Sequence, residues 1–301
     1  MKPRVSILLR NKNSQSTLAE VLKSLFNQSF QDFELIVADS GSSDQSLEWL
    51  QAYPHRLIQI APQDYFPGKV LNQLAALAQG ELLVFLNSDV VMLAQDTLSE
   101  LIQVFDQPQV QASFARQLAR PEADHWVQRD YLKAFPMSGP APEWMSYSLP
   151  LAAMRKSAWQ QMPFYDWAWG SEDSEWGKRA LQRGWQVAYV PTACVMHSHN
   201  YTLQQLSGRR FIEGEADAYM QQSAYPWHKL LPRIMADSLR DLKYCLAHAD
   251  LQEAIQVVPR RVVFHWAHVK GWSHGWKRLQ SGSNNSQKGQ QFVLDRHPAR
   301  A

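Results

Sequence analysis

Apolar residues in the first third of the chain follow two alternating patterns. Nearly continuous apolar runs of strand length occupy residues 5–9, 33–38, 56–60 and 82–86. Between these runs, apolar residues recur at spacings of three and four, which indicates amphipathic helices. The first such helix carries Leu18, Val21, Leu22, Leu25 and Phe26. Because strands and helices alternate with short loops, we predict a doubly wound, mostly parallel α/β sheet of the Rossmann-like type.

The same patterns predict further elements beyond residue 92. Helices are expected at 97–105, 156–162, 172–183 and 202–220, and strands at 110–114, 151–154 and 187–190. Ser171 is the expected N-cap of the third of these helices, Gly80 and Gly184 are expected to end helices, and Pro191 is expected to end a strand. Residues 120–149 contain four prolines and are predicted to be an irregular excursion over the site.

The last quarter of the chain has a different character. Residues 227–248 and 251–276 are helix-like, basic and aromatic, whereas 281–301 is rich in Gly, Ser, Asn and Gln. We therefore predict a main domain at 1–222, a helical C-terminal extension at 223–280 and a disordered tail at 281–301. The basic helices are expected either to contact an anionic membrane surface or to form a solvated face on the main domain.

Two of the predicted strands end in acidic residues. Asp39 follows one of them, and the sequence Asn87-Ser88-Asp89 follows another. The carboxyl ends of parallel strands form the edge at which open α/β sheets bind ligands, so both positions are candidates for a site. The alternative is that the second sequence is only a polar turn. Neither G-x-G-x-x-G nor G-x-x-x-x-G-K-[ST] occurs, so dinucleotide and P-loop sites lack their fingerprints.

Composition narrows the function classes further. The 301 residues carry a net charge of +2, which gives no basis for predicting nucleic-acid binding. Cys194 and Cys245 form no C-x-x-C pair, so a reducing, cytoplasmic compartment is expected. No apolar run reaches the roughly 18 residues of a spanning helix, and the N-terminus lacks a signal-peptide segment.

Four segments in this order resemble family 2 glycosyltransferases with the GT-A fold. They lie at residues 5–13, 33–44, 80–89 and 170–184, and the resemblance covers roughly residues 3–220. Three shorter sequences resemble the bacterial rhamnosyltransferase branch of that family. They are Arg10-Asn11-Lys12-Asn13, Gly68-Lys69-Val70-Leu71-Asn72 and His197-Ser198-His199-Asn200-Tyr201-Thr202.

The resemblance implies a pocket for a nucleotide-sugar donor. Its residues are Arg10, Asn11, Asp39, Ser42, Lys69, Asn72, Asn87 and Ser88. Asp39 would contact the nucleobase, and Lys69 and Asn72 the diphosphate or the sugar. Asp89 matches the metal ligand of the family's DxD motif, which implies a divalent cation, Mn²⁺ or Mg²⁺, on the diphosphate. Asn87 replaces the first acid of that motif, and His197, preferred over His199, is a candidate further ligand.

The resemblance also implies a catalytic base. The Glu172-Asp173 pair matches the family's ED motif, with Asp173 as the base that takes the proton of the acceptor hydroxyl and Glu175 as its substitute. The helix dipole is expected to lower the pKa of both acids of the pair. Trp169 and Trp176 are candidate platforms on which the acceptor sugar stacks, or else packed aromatic residues of the core.

Two arginines complete the candidate residues. Arg209 and Arg210 are expected either to contact the diphosphate or to lie on an exposed helical face. The predicted function is inverting transfer of rhamnose from dTDP-rhamnose to a surface-polysaccharide or lipid-linked acceptor, at the inner face of the cytoplasmic membrane with peripheral membrane contact. Three alternatives remain: a UDP-hexose or UDP-N-acetylhexosamine donor, a nucleotidyltransferase, and a non-catalytic binding module.

Overall fold

An eight-stranded sheet forms the centre of the computed structural model, which describes residues 2–283 and Gly289. The strands are β1 (Val5–Asn11), β2 (Phe33–Asp39), β3 (Arg56–Gln59), β4 (Leu82–Asn87), β5 (Val91–Met92), β6 (Val110–Leu118), β7 (Leu151–Arg155) and β8 (Gln186–Met196). They lie in the order β3-β2-β1-β4-β7-β6-β8-β5. Four pairs are parallel, whereas β7 and β5 run antiparallel to their neighbours.

Helices cover both faces of the sheet and continue beyond it. They are α1 (Gln15–Phe26), α2 (Ser46–Leu50), α3 (Pro67–Leu77), α4 (Thr97–Gln103), α5 (His125–Ala134), α6 (Lys156–Gln161), α7 (Glu172–Gln182), α8 (Leu203–Gln221), α9 (Leu230–Ala247) and α10 (Leu251–Ser281). Short 3-10 turns occupy Pro62–Asp64, Val104–Asp106 and Trp227–Lys229. The predicted α/β architecture with a helical C-terminal region is confirmed.

The core has one layer on each face of the sheet. Side chains alternate along a strand, so Ile7 and Leu9 of β1 pack with α1 and α4, whereas Leu8 packs with α3, α6 and α7. All three side chains are at most 1% exposed. Burial on both faces explains why the strands are continuous apolar runs in the sequence rather than alternating ones.

The parallel register brings the predicted site residues to one edge. Asn11 lies opposite Asp39 on the neighbouring strand, and Arg10 lies opposite Asn87 on the other side. The polar residues that end β1, β2 and β4 therefore lie side by side, at the sheet edge where ligands bind in such folds.

Glycines allow α10 to pack directly on the backbone of α8. A Cβ atom at Gly214 would lie 2.0 Å from His268 O, and one at Gly271 would lie 1.9 Å from Phe211 O. The buried Glu215 of α8 pairs with Arg278 of α10 at 2.5 Å. Across the part of the chain that the structure describes, no helix has both the length and the apolar character needed to cross a membrane.

Two local predictions were wrong, and one was wrong in part. Residues 120–149 are irregular as predicted except for helix α5, whose Trp126 and Val127 are buried. Gly80 does not end a helix, because α3 stops at Leu77; its lack of a side chain is needed because a Cβ atom would lie 2.7 Å from Ser6 N. Strand β8 continues through Pro191, where a shift in the β6–β8 register accommodates the missing N–H group.

The proposed division of the chain stays a prediction. Helix α8 ends at Gln221, next to the predicted boundary at residue 222. The predicted tail at 281–301 lies outside the described residues, apart from 281–283 and 289.

Candidate active site

The Glu172-Asp173 pair begins α7 and is reached by β1. Arg10 at the end of β1 donates from Nη1 to Glu172 Oε1 at 2.8 Å, and both side chains are mostly buried. Burial opposes ionisation of Glu172, but the Arg10 guanidinium outweighs it and lowers the pKa of this carboxyl. Glu172 is therefore held as an anion in an ion pair and is poorly placed to accept a proton.

Asp173 has the opposite electrostatic environment. Burial and the negative charge of Glu172 raise the pKa of Asp173 above its usual value. The expectation that the helix dipole lowers the pKa of both acids was therefore wrong for Asp173. Its Oδ2 accepts a hydrogen bond from Leu149 N at 3.2 Å, and its Oδ1 accepts one from Ser174 N at 2.7 Å. A half-buried carboxylate with a raised pKa suits a proton acceptor.

Ser171 and Glu175, on either side of this pair, differ from the roles predicted for them. Ser171 adopts left-handed backbone angles of 60° and 24°, and its side chain makes no capping hydrogen bond, so the predicted N-cap interaction was wrong. Such a conformation is unfavourable for a non-glycine residue and is often found at functional sites. Glu175, the predicted substitute base, is buried and pairs with Arg179 Nε at 2.6 Å.

A second polar cluster joins the ends of β1 and β2. Asp39 is 1% exposed and accepts four hydrogen bonds: from Asn11 Nδ2 at 2.8 Å, Ser42 Oγ at 2.6 Å, and Gly41 N and Ser42 N at 3.0 Å each. These bonds occupy the acceptor positions of the carboxylate. A base N3–H group can bind Asp39 only if one of them opens, and the rotatable Ser42 hydroxyl is the simplest to release.

Asp89 lies within reach of two imidazoles. His199 Nε2 is 3.1 Å from Asp89 Oδ2, and His197 Nε2 is 3.7 Å from Asp89 Oδ1. One ligand atom from each of the three residues lies within 4.8 Å of the others. Burial opposes ionisation of Asp89, but the two histidines and Arg120 outweigh it, so the pKa of Asp89 is lowered. The structure therefore places both candidate histidines beside Asp89.

The donor set fits a divalent cation. His197 Nε2 is buried and has no hydrogen-bond partner among the described residues, which is unfavourable unless a ligand binds it. Burial lowers the pKa of His197 to about 4, so the ring is neutral and the nitrogen carries a lone pair. An anionic carboxylate and two neutral imidazoles are ordinary ligands of divalent transition metals.

Two residues that sequence reasoning missed orient His197. Its Nδ1 lies 3.0 Å from Gln117 Oε1 and 3.2 Å from Tyr131 OH. Because the Gln117 carbonyl only accepts, Nδ1 carries the proton and Nε2 faces Asp89. Gln117 Nε2 also donates to Ser148 Oγ at 2.9 Å, in the segment that contacts Asp173. Gln117 lies in β6 and Tyr131 in α5, and neither belongs to a recognisable motif.

The four remaining residues predicted to bind the donor differ in their contacts and exposure. Asn72 accepts from Trp159 Nε1 at 2.9 Å and Phe164 N at 3.0 Å and donates to Phe164 O at 2.8 Å, so it has a structural role in place of the predicted donor contact. Lys69 is exposed beside the Phe66 ring. Ser88 Oγ lies 2.7 Å from Ser14 Oγ, and Asn87 is half-buried at the end of β4.

The two tryptophans predicted to stack on an acceptor are packed. Trp176 is fully buried and donates from Nε1 to Met162 O at 2.7 Å. Trp169 is 7% exposed and lies against Phe66, with ring centroids 4.7 Å apart. Neither face is available to a ligand, so the acceptor-binding prediction was wrong for both and the alternative of core packing holds.

A cleft of about 360 Å³ lies beside the cluster of Asp89, His197 and His199, here named the metal-ligand cluster. It is lined by Gln117, Leu118, Ala119, Arg120, Pro121, Gln128, Tyr131, Leu132 and Phe135. It lies between the end of β6 and α5, within the segment that was predicted to be irregular. Aromatic and amide side chains together are typical of sites that hold sugars, whose rings have apolar faces and hydroxyl edges.

The positive charge of Arg209 in α8 influences both the Glu172-Asp173 pair and His197. It pairs with Glu213 Oε1 at 2.5 Å, and its charge contributes to the lowered pKa of Glu172 and of His197 and opposes part of the rise in the pKa of Asp173. Arg210 instead stacks on the Phe264 ring of α10 at 3.8 Å. Of these two arginines, Arg209 is the one whose charge influences the pKa values of the candidate site residues.

Known proteins resemble this chain over most of its length. It is 31% identical over 201 residues to the O-antigen chain rhamnosyltransferase WbaN of Salmonella anatum, covering 62% of this chain and 63% of that protein. It is 26% identical to the O-antigen chain rhamnosyltransferase RfbN of Salmonella typhimurium, covering 70% and 71%. The mannosyltransferase PcManGT from Pyrobaculum calidifontis, in complex with GDP-Man and Mn²⁺, superposes with a TM-score of 0.61 at 17% identity, covering 92% and 88%.

These likenesses establish the fold type and the family. The superposition shows the GT-A type fold, as predicted from the sequence. The model of the glycosyl transferase family 2 matches residues 6–162, which include the sheet strands that carry Arg10, Asp39 and Asp89. That match covers just over half of the 301 residues of this chain. The chain therefore belongs to glycosyl transferase family 2.

Proposed function

We propose that this chain is an inverting, nucleotide-sugar-dependent glycosyltransferase that moves rhamnose from dTDP-rhamnose to a polysaccharide or lipid-linked acceptor. The observation that carries the proposal is the contact between the two groups of candidate residues: Gln117 bonds both His197 Nδ1 and Ser148 Oγ, and the adjoining Leu149 N donates to Asp173. A general base and a cation site joined through one segment suit the acceptor and the leaving group of a glycosyl transfer. Similarity to two rhamnosyltransferases supports rhamnose as the sugar.

The donor binds at the carboxyl edge of the sheet. Asn11, Asp39 and Ser42 hold the nucleobase of the donor. Arg209 and the exposed Lys69 supply positive charge for its diphosphate. Asp89, His197 and His199 hold the cation, and two imidazoles among three ligands favour Mn²⁺ over Mg²⁺. When bound, the cation stabilises the negative charge that develops on the leaving diphosphate.

Asp173 acts as the base. It takes the proton of the acceptor hydroxyl while that oxygen attacks the anomeric carbon. The bond between the anomeric carbon and the diphosphate oxygen breaks, and its electron pair leaves with the nucleoside diphosphate. Attack on the face opposite the leaving group inverts the configuration. Glu172 takes no proton, because Arg10 holds it as an anion, but its charge keeps the pKa of Asp173 raised.

The acceptor sugar binds in the cleft beside α5. Tyr131 and Phe135 supply aromatic surface there and Gln128 supplies hydrogen bonds, in place of the packed Trp169 and Trp176. A lipid-linked acceptor places the reaction at the inner face of the cytoplasmic membrane, where the protein is a peripheral component.

A thermal-shift panel tests the donor and the metal together. We expect dTDP-rhamnose with Mn²⁺ to stabilise the protein most, by about 5 °C at a hundredfold excess over the dissociation constant. Larger stabilisation by UDP-glucose, UDP-N-acetylglucosamine or GDP-mannose would replace the proposed donor. Stabilisation by none of these compounds, with or without Mn²⁺, would favour a non-catalytic binding module. Release of dTDP with an acceptor extract then tests transfer.

A further inference from the structure

An apolar stripe runs along the outer side of α9. Leu231, Met235, Leu239 and Leu246 are spaced by four, four and seven residues, so they lie on one face of the helix. These side chains are between 54% and 69% exposed. The side of α9 next to this stripe is buried, through Ser238, Asp241 and Cys245. Isolated exposed leucines are ordinary, but a stripe of them at helical spacing marks a binding surface.

Helix α10 carries a matching stripe. It consists of Leu251, Ile255, Val258, Val262 and Trp266, which are between 43% and 79% exposed. Trp266 contacts Trp227, at the start of the α9 segment, with ring centroids 6.3 Å apart. At the other end, only four residues of a turn separate Leu246 from Leu251. The two stripes and Trp227 therefore form one surface, here named the α9/α10 face.

The exposed charge around this face is positive. The segment from Trp227 to Ser283 contains four acids, and all of them are engaged: Asp237 with Arg240 and His265, Asp241 with Arg129 and Arg261, and Asp250 and Glu253 with His125. Its exposed basic residues are Lys229, Arg233, Arg240, Lys243, Lys270 and Lys277. Arg260, Arg261 and Arg278 of α10 are instead mostly buried in ion pairs.

The positions of the exposed lysines and arginines follow from helix geometry. At 100° per residue, Arg233, Arg240 and Lys243 form a row along one side of the α9 stripe. Lys270 and Lys277 continue the exposed side of α10 beyond Trp266, and the Lys270 ammonium lies 5.6 Å from the centre of the Trp266 ring. An apolar stripe bordered by lysine, arginine and tryptophan is the arrangement of helices that lie in a membrane interface.

We propose that the α9/α10 face binds the surface of an anionic lipid bilayer, with its leucines and tryptophans among the acyl chains and its bases at the headgroups. A second copy of the chain is a poorer occupant, because a symmetric contact would bring two rows of positive charge together. Phosphate-bearing headgroups complement that charge, and each exposed Lys or Arg adds about 1 kcal/mol of attraction to such a surface.

The location of the face suits the proposed function, on which its biological purpose rests. Helix α5, which lines the acceptor cleft through Tyr131 and Leu132, is joined to α9 and α10 by Arg129, which pairs with Asp241, and by His125, which pairs with Asp250. A bilayer on the α9/α10 face would thus lie one helix away from the cleft. Lipid binding itself needs no sugar, so it is measured independently of transfer.

Flotation of the full chain with vesicles tests the proposal. The vesicles contain equal parts of phosphatidylglycerol and phosphatidylcholine, or phosphatidylcholine alone. The face variant replaces Leu231, Leu239 and Leu251 by Gln, and its matched control replaces Leu57, Leu93 and Leu181, three exposed leucines of the main domain, by Gln. A charge variant replaces Lys229, Lys243 and Lys270 by Gln.

We expect the wild type and the matched control to float with the anionic vesicles and the face variant to stay unbound. The charge variant should bind roughly 100-fold more weakly, since about 1 kcal/mol per lysine is about fivefold each. Equal flotation of face variant and control, or no flotation of the wild type, would overturn the proposal. So would a wild-type dimer, measured by light scattering, that the face variant makes monomeric. Transfer to a water-soluble acceptor should be unchanged in the face variant; its absence in the wild type would count against the proposed function alone.

Discussion

Replacement of Asp173 by Asn tests the catalytic assignment most directly. The amide cannot take a proton, and a positioned general base contributes roughly 10²- to 10⁴-fold to a rate. We therefore expect kcat to fall by that factor, which corresponds to about 3–5 kcal/mol of transition-state stabilisation. Donor binding should be unchanged, since the Asp173 carboxylate contacts Leu149 N and Ser174 N rather than the donor pocket.

The same substitution has a cost in stability that the structure allows us to work out. In the Asp173→Asn variant the side-chain carbonyl oxygen can accept the tighter bond from Ser174 N, but the new NH₂ group then faces the Leu149 N–H group, and two donors meet. An unsatisfied donor costs about 1–3 kcal/mol in unfolding free energy. Removal of the repulsion between Asp173 and Glu172 offsets part of this loss.

Three measurements separate these effects. Turnover at saturating donor and acceptor gives kcat, calorimetry gives the donor affinity, and urea unfolding gives the stability. Glu175→Gln is the matched control, because it removes an acid two residues away that is already paired with Arg179. Turnover of Asp173→Asn equal to that of the wild type would refute the assignment. A loss of donor affinity as large as the loss of kcat would show that Asp173 binds the donor instead.

Three further predictions follow from other contacts of the site and its supporting helices. Glu172→Gln removes the negative charge that raises the pKa of Asp173, so the acid limb of the pH–rate profile should move to lower pH; an unmoved limb would contradict the coupling. Gln117→Leu removes the acceptor at His197 Nδ1, so the Mn²⁺ dissociation constant should rise about 10- to 100-fold in calorimetry; an unchanged constant would show that Gln117 does not orient the ligand. Arg278→Met deprives buried Glu215 of its guanidinium partner and should cost about 3–5 kcal/mol in urea unfolding; a loss below about 1 kcal/mol would mean that the pair is not desolvated.

The sheet and its edge were predictable from the sequence because their signals are local. Runs such as 33–38 and 82–86 are buried on both faces, and this leaves a continuous apolar pattern that strand geometry alone explains. Asp39 follows the first run directly and Asp89 lies three residues beyond the second, so their place at the ligand edge needed no tertiary information. The family resemblance then supplied the fold type and the family, which the superposition and the family model confirm.

Other features could not be predicted because they depend on contacts between distant parts of the chain. Trp176 was a candidate sugar platform by its nearness to Asp173, but one turn of helix points it into the core, where Met162 O accepts its N–H group. Asn72 lies next to a basic residue in a motif, yet it holds a loop almost a hundred residues away. Gln117 and Tyr131 have no motif at all, and only folding of β6 and α5 onto β8 places them beside His197.

In the proposed cation site, Asn87 in place of the first DxD acid changes the charge of the site rather than abolishing it. With one carboxylate and two neutral imidazoles, a bound divalent cation keeps a net charge of about +1 at the centre, whereas two carboxylates would reduce it to zero. The fewer anionic ligands weaken the hold on the cation, and the surplus positive charge strengthens its attraction for a diphosphate. The buried His197 Nε2, already desolvated and oriented by Gln117, offsets part of the lost affinity because no reorganisation is needed when the cation binds. A site of this kind binds metal and donor best together, since each supplies the charge that the other lacks.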